Sequence, residues 1–113
     1  MMGNYVTKEF TRYTVYYISG NSPKIGVPQE MEIDCFDQQG KRVGEMYFFP
    51  DDLPLPANNV NVNGIYLYFR SRRFNDVMNI LKDEKPLYLA LNTANGAGNI
   101  GTAWEPVGEQ EGV

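Results

Sequence analysis

Apolar and polar residues alternate along several stretches of the chain, which is the pattern of β-strands that bury one face. The alternation is clearest at residues 30–37, where Met31, Ile33 and Cys35 are separated by acidic residues. Residues 65–70 alternate in the same way. We predict a strand at each of these stretches, and further strands at residues 5–18, 41–49, 87–91 and 100–105.

Two segments depart from simple alternation. The apolar side changes partway along residues 5–18, so we expect either one bent strand or two strands joined at a bulge. Residues 50–63 contain three prolines and end at Asn63-Gly64. Because proline cannot donate to a strand ladder, we predict an irregular connection there and not a central strand.

A turn at Gln39-Gly40 joins the strands at 30–37 and 41–49 into a hairpin, since glycine supplies the positive φ that tight turns need. A two-residue loop sets a register that places apolar residues opposite each other and opposite charges opposite each other. It predicts three facing pairs: Ile33 with Met46, Met31 with Phe48, and Asp37 with Arg42.

One segment, residues 72–83, has helical periodicity. Its apolar residues recur at intervals of three and four, at Phe74, Val77, Met78 and Leu81. We predict a helix that Ser71 caps with its hydroxyl and that Pro86 stops. Its charges oppose the helix dipole, so burial of the apolar stripe must hold it in place.

The predicted element order is β-β-β-β-α-β-β, mostly joined by hairpins. This order favours an α+β fold that is predominantly β, with a mainly antiparallel curved sheet or small barrel and one amphipathic helix. At 113 residues the chain fits a single domain spanning 1–113, with a flexible polar tail at 106–113.

Composition bounds the environment of the protein. Cys35 is the single cysteine, so no intrachain disulfide can form. The chain opens with neither a basic start nor a long apolar run. We therefore expect no signal peptide, no contact with membranes and a cytoplasmic location.

Catalytic chemistry is restricted by the absence of histidine from the whole sequence, which excludes histidine-based triads and metal sites. Cys35 has acidic neighbours and lies on the apolar side of its strand, so we interpret it as a core residue. We predict no catalytic residue, no metal and no cofactor.

Three carboxylates, Glu30, Glu32 and Asp34, share the polar side of one predicted strand. We interpret them as a solvated face or as the charges that protect an edge strand. The alternative is a cation site, for which Asp51 and Asp52 would have to supply further oxygen ligands.

The charge of −4 is unevenly distributed. Residues 30–52 carry a net charge of −5, whereas the only basic cluster comes at the start of the predicted helix. Arginines near helix amides favour anions, and neighbouring outward tyrosines can stack on bases. The candidate ligand-binding residues are therefore Tyr66, Tyr68, Arg70, Arg72 and Arg73. The alternative is that the tyrosines cover a dimer interface or a second sheet and that the arginines are solvated or paired with residues 30–52.

Three functions remain open at this stage. We favour a non-catalytic interaction domain that binds itself, for example as a homodimer, or binds another protein, because the chain has surplus outward aromatic residues and lacks a catalytic constellation. The second function is binding of an anion or of single-stranded nucleic acid, which the overall acidity disfavours. The third, and least favoured, is a carboxylate- or metal-dependent enzyme near Glu30, Glu32 and Asp34.

Overall fold

The computed structural model describes residues 4–19, 29–83 and 85–102. Strands dominate these residues, and they are accompanied by one α-helix and a short 3₁₀ turn. In chain order the elements are β1 (Tyr5–Phe10), β2 (Arg12–Tyr17), β3 (Met31–Phe36), β4 (Arg42–Phe49), β5 (Asn59–Asn61), β6 (Gly64–Arg70), the 3₁₀ turn (Ser71–Arg73), α1 (Phe74–Asp83), β7 (Leu87–Asn92) and β8 (Gly98–Thr102). The predicted tail at 106–113 lies outside the described residues.

The strands form two sheets. The five-stranded sheet has the order β2-β3-β4-β6-β5, and the three-stranded sheet has the order β1-β7-β8. All neighbouring strands are antiparallel except β4 and β6, which are parallel. The α+β, mainly β prediction is confirmed. Because the five-stranded sheet ends at β2 and β5 within the described residues, it does not close into a barrel.

The long N-terminal segment contributes to both sheets. β1 pairs with β7, and β2 pairs with β3. Thr11 joins them, and its amide donates to the carbonyl of Phe36 at 2.9 Å. Of the two arrangements expected, one bent strand or two strands, the structure has two. The apolar side changes along the segment because the two strands belong to different sheets.

The apolar core lies on one face of the five-stranded sheet, where α1 and the three-stranded sheet pack. Phe48 is fully buried, with its ring stacked on Phe69 and edge-on to Phe74 of the helix. The predicted helical stripe is confirmed: Phe74, Val77 and Leu81 are buried, and Met78 packs against the core in a half-buried position. The other fully buried apolar side chains include Phe10, Ile33, Met46, Ile65, Leu67 and Leu89.

The predicted cap of the helix is wrong. Ser71 begins the 3₁₀ turn, so the α-helix starts later, at Phe74. The residue before the turn is Arg70, which makes no side-chain capping bond, and the buried Ser71 hydroxyl has no hydrogen-bond partner. Burial of the apolar stripe, at roughly 1.5–3 kcal/mol per large side chain, holds this helix without a polar cap.

The hairpin register is confirmed at two of the three predicted pairs. Ile33 faces Met46 and Met31 faces Phe48. The third pair is wrong, because the ladder shifts between Cys35 and Phe36 and places Phe36 opposite Arg42. Asp37 instead donates its amide to the carbonyl of Lys41 at 2.8 Å.

The connection at residues 50–63 contains a short strand that we did not predict, because its three prolines favoured an irregular connection. β5 follows the last of these prolines and pairs with the start of β6. Asn58 secures the chain just before it: its side-chain oxygen accepts from the Tyr68 amide at 2.8 Å, and its nitrogen donates to the Gly96 carbonyl at 3.1 Å. The connection thereby brings β6 alongside β4 in the parallel direction.

Candidate functional site

Three carboxylates meet beneath the surface on the face of the five-stranded sheet opposite the apolar core. Glu32 and Asp34 come from β3, and Glu45 comes from the neighbouring β4, directly opposite Asp34. They are 6%, 5% and 2% exposed, respectively. One oxygen from each lies within 4.8 Å of the others. We call Glu32, Asp34 and Glu45 the carboxylate cluster.

The cluster corrects the prediction of a solvated face or a protected edge. β3 lies between β2 and β4, so it is an interior strand, and Glu32 and Asp34 are buried. Glu30 is exposed and lies outside the cluster. The third member is Glu45, which the predicted hairpin register already placed opposite Asp34 because it paired Ile33 with Met46.

Hydrogen bonds hold the two glutamates of the cluster. Gln29 Nε2 donates to Glu32 Oε1 at 3.1 Å. The Tyr47 hydroxyl donates to Glu45 Oε1, and Arg42 Nη1 donates to Glu45 Oε2 at 2.5 Å. The Arg42 side chain is 48% exposed, so its charge reaches the cluster from the solvent side.

Asp34 is less well satisfied than its neighbours. Its Oδ2 lies 4.0 Å from Arg42 Nη2, and its buried Oδ1 accepts no hydrogen bond. Burial, a side-chain hydrogen bond with Glu32 and the charges of Glu32 and Glu45 together raise the pKa of Asp34 to about 7, against the opposing effect of Arg42. Asp34 therefore gains or loses its proton near neutral pH, in an enclosed site that also contains the carboxyl groups of Glu32 and Glu45.

Cys35 lies on the opposite face of β3, in the apolar core, as predicted. Burial raises the pKa of its thiol well above the ordinary value, and the charges of Asp34 and Glu45 act in the same direction. The thiol therefore stays protonated and is unsuited to act as a nucleophile.

Aromatic rings lie beside the carboxylate cluster on the same face. Tyr47 stacks on Tyr66 with ring centroids 6.4 Å apart, and it lies 5.3 Å from the Tyr68 ring. Phe49 meets Tyr68 edge to face. The structure thus places the two predicted site tyrosines, Tyr66 and Tyr68, next to Tyr47, a buried residue that the sequence did not single out.

Each of the three predicted arginines has a partner within the chain. Arg70 donates to the carbonyls of Pro50 and Leu53 at 2.9 and 2.5 Å. Arg72 lies 3.5 Å from Asp51. Arg73 lies 3.1 Å from Asp76, one helical turn away. These contacts give the arginines structural roles at the loop after β4 and in the first turn of α1, and their proposed role in anion binding stays a prediction.

A concavity elsewhere on the surface has none of the predicted site residues in its lining. This cavity of about 460 Å³ lies at Thr11, between β1 and β2, and its lining includes Phe10, Tyr13, Leu81 and Leu87. The cavity therefore adds no support to the predicted ligand site.

Comparison with known proteins gives no match to a family model, to a curated protein or to a solved structure. Among the helices of the described residues, none has the length and apolar character needed to cross a membrane. Functional inference therefore depends on the geometry of this chain alone.

Proposed function

We propose that this chain is a non-catalytic, self-associating domain that pairs with a second copy of itself along the edge strand β2. The observation that carries the proposal is the position of β2 at the end of the five-stranded sheet, with two of its tyrosines open to solvent. Tyr16 is 47% exposed and Tyr17 is 72% exposed.

The backbone of β2 directs hydrogen-bonding groups toward the outer edge of the sheet, as pairing with another strand requires. The Ile18 amide donates to the Glu30 carbonyl, which extends the β2–β3 ladder by one residue. Since strand backbone groups alternate between the two sides of a strand, the even-numbered residues bond to β3. Tyr13, Val15 and Tyr17 therefore direct their amides and carbonyls toward the outer edge.

The β2 sequence lacks the usual devices that prevent edge-to-edge pairing. It has no proline, lysine or acidic residue, and its single charge is that of Arg12 at one end. The other edge strand of this sheet, β5, has only three residues and two of them are asparagine. β2 is therefore the better template for a second chain.

A second β2 also complements the first. In an antiparallel pair centred on Val15, each Tyr13 faces the Tyr17 of the other copy, and the two Arg12 side chains lie at opposite ends. Both core faces then stay on the same side of a continuous sheet. Cross-strand aromatic pairs of this type contribute about 0.2–1 kcal/mol each.

The proposal is non-catalytic because the sequence has no histidine and its one thiol is buried in the core. A partner other than a second copy would use the same edge by β-strand addition. A cytoplasmic location stays a prediction.

We expect the wild-type chain to sediment as a dimer at high concentration. Tyr17→Lys should weaken dimerisation about tenfold or more, because it removes two aromatic pairs and places a charge in the interface between the two β2 strands. Sedimentation equilibrium over a wide concentration range measures this. Val62→Lys is the matched control, because Val62 is 94% exposed on the turn before β6.

Thermal unfolding of both variants checks that they fold, since Tyr17 also meets the Phe74 ring edge-on. A wild-type chain that stays monomeric at every concentration would overturn the proposal. Equal weakening by Tyr17→Lys and Val62→Lys would do the same, because it would place the interface elsewhere.

A further inference from the structure

We propose that the carboxylate cluster of Glu32, Asp34 and Glu45 is a binding site for a calcium ion. This inference is independent of the self-association proposed above, because it concerns the face of the sheet opposite the apolar core. It also differs from the sequence-based cation alternative, which joined Glu32 and Asp34 with Glu30, Asp51 and Asp52 and did not include Glu45.

The ligand set determines the class of cation. All three side chains offer carboxylate oxygens, and the one thiol in the chain lies on the other face of β3. Hard cations prefer such oxygen sets, whereas zinc and copper favour nitrogen and sulfur ligands. The cluster therefore suits calcium or magnesium.

The distances favour calcium. Oxygens up to 4.8 Å apart can all contact an ion with Ca–O distances of about 2.3–2.6 Å after small side-chain shifts. Magnesium holds its ligands at about 2.0–2.1 Å in a strict octahedron, so it would require a larger contraction. Water completes a calcium shell of about 6–8 oxygens.

A second observation points to a ligand at this position. Asp34 is 5% exposed, and its Oδ1 is buried without a hydrogen-bond donor. Nearly all buried polar atoms in folded proteins have a partner, so an orphaned carboxylate oxygen needs one. An ion bound by the cluster supplies it.

The charges around the site also favour a divalent cation. Three carboxylates are opposed by one guanidinium, that of Arg42, which contacts Glu45 and lies near Asp34. Buried charges of one sign are costly unless they are compensated. Because the Arg42 side chain is 48% exposed, it can withdraw toward solvent and leave Glu45 to the incoming ion.

Titration calorimetry of the metal-free chain with CaCl₂ at constant ionic strength tests the site. We expect saturable binding of one ion per chain, with a Kd in the range of about 10⁻⁵–10⁻³ M, and weaker binding of MgCl₂. Asp34→Asn should weaken calcium binding about tenfold or more, since it removes a charged ligand from the centre of the set.

Two further variants make the result specific. Glu30→Gln removes an exposed carboxylate from the residue just before β3, and it should bind calcium as the wild type does. Arg42→Gln should tighten binding, because it removes the cation that competes for Glu45. Glu32→Gln repeats the test of the cluster should Asp34→Asn fail to fold.

The absence of calcium binding by the wild-type chain would overturn the proposal and leave Arg42 and a proton to neutralise the cluster. Equal weakening by Glu30→Gln and Asp34→Asn would also overturn it, because it would indicate diffuse attraction to an acidic surface. The Tyr17→Lys chain should retain calcium binding, which separates this result from that on self-association.

Discussion

Replacing Asp34 with asparagine should stabilise the fold at about pH 8 in the presence of a chelator and leave its stability almost unchanged near pH 4. Burial and the neighbouring Glu32 and Glu45 raise the pKa of this carboxyl from 3.8 to about 7. Above that value the fold must hold a third negative charge in an enclosed site. Asparagine removes this charge while keeping the size of the side chain and adding a donor for the adjacent carboxylates.

The sign follows from the protons bound in each state. Between about pH 4 and pH 7 the folded chain keeps a proton on Asp34 that the unfolded chain has released, so unfolding becomes easier as the pH rises through this window. The stabilising effect of the raised pKa is fully present below the window and is lost above it. At about 1.36 kcal/mol per pKa unit, the free energy of unfolding of the wild type falls by up to about 4 kcal/mol relative to that of Asp34→Asn.

Urea unfolding of both chains at a series of pH values measures this difference. Glu30→Gln is the control, since it removes an exposed carboxylate close to the same strand. Its stability relative to the wild type should vary far less across the window. A constant difference between wild type and Asp34→Asn at every pH would contradict the prediction, because it would mean that Asp34 stays ionised throughout.

The carboxylate cluster shows what a strand pattern can predict. Alternation correctly placed Glu32 and Asp34 on the side of β3 opposite Ile33, and the hairpin register placed Glu45 beside them. The pattern did not show that this side is buried. A charged residue every second position is typical of a solvated face, and the covering of that face depends on long-range packing that local sequence does not encode.

The order of the strands in the sheet also could not be predicted from the pattern of apolar and polar residues. Neighbouring strands along a chain usually pair in space, which favoured hairpins throughout. Here the connection at 50–63 carries the chain past β4 and lets β6 return parallel to it. The break at Thr11, by contrast, was visible as a change of apolar side, because each half of the segment serves a different sheet.

The arginine cluster illustrates the limit of charge patterns. Sequence placed Arg70, Arg72 and Arg73 together, yet the carbonyls that Arg70 binds belong to residues about twenty positions earlier. Every residue has a backbone carbonyl, so a sequence pattern does not show which carbonyls an arginine will bind. Whether a basic cluster is open to a ligand therefore depends on how nearby loops fold.

Gly64→Ala should destabilise the fold by about 3 kcal/mol or more, the second large effect that we expect. Gly64 begins β6 with a φ of +132°, which side-chain-bearing residues rarely adopt. A Cβ there would also collide with the backbone carbonyl of Val43, just where β4 and β6 start to run side by side. The only relief is to move the two strands apart, which disturbs the ladder that positions Glu45 and Tyr66.

Gly40→Ala is the matched comparison. Gly40 also has a positive φ, +85°, but a Cβ at this exposed turn would meet nothing within 4 Å. It should therefore cost only the conformational penalty of about 1–2 kcal/mol. Denaturant unfolding of the two variants separates backbone conformation from steric collision. Equal losses would contradict the argument, because they would mean that the strands accommodate the Gly64 side chain and that φ alone sets the cost.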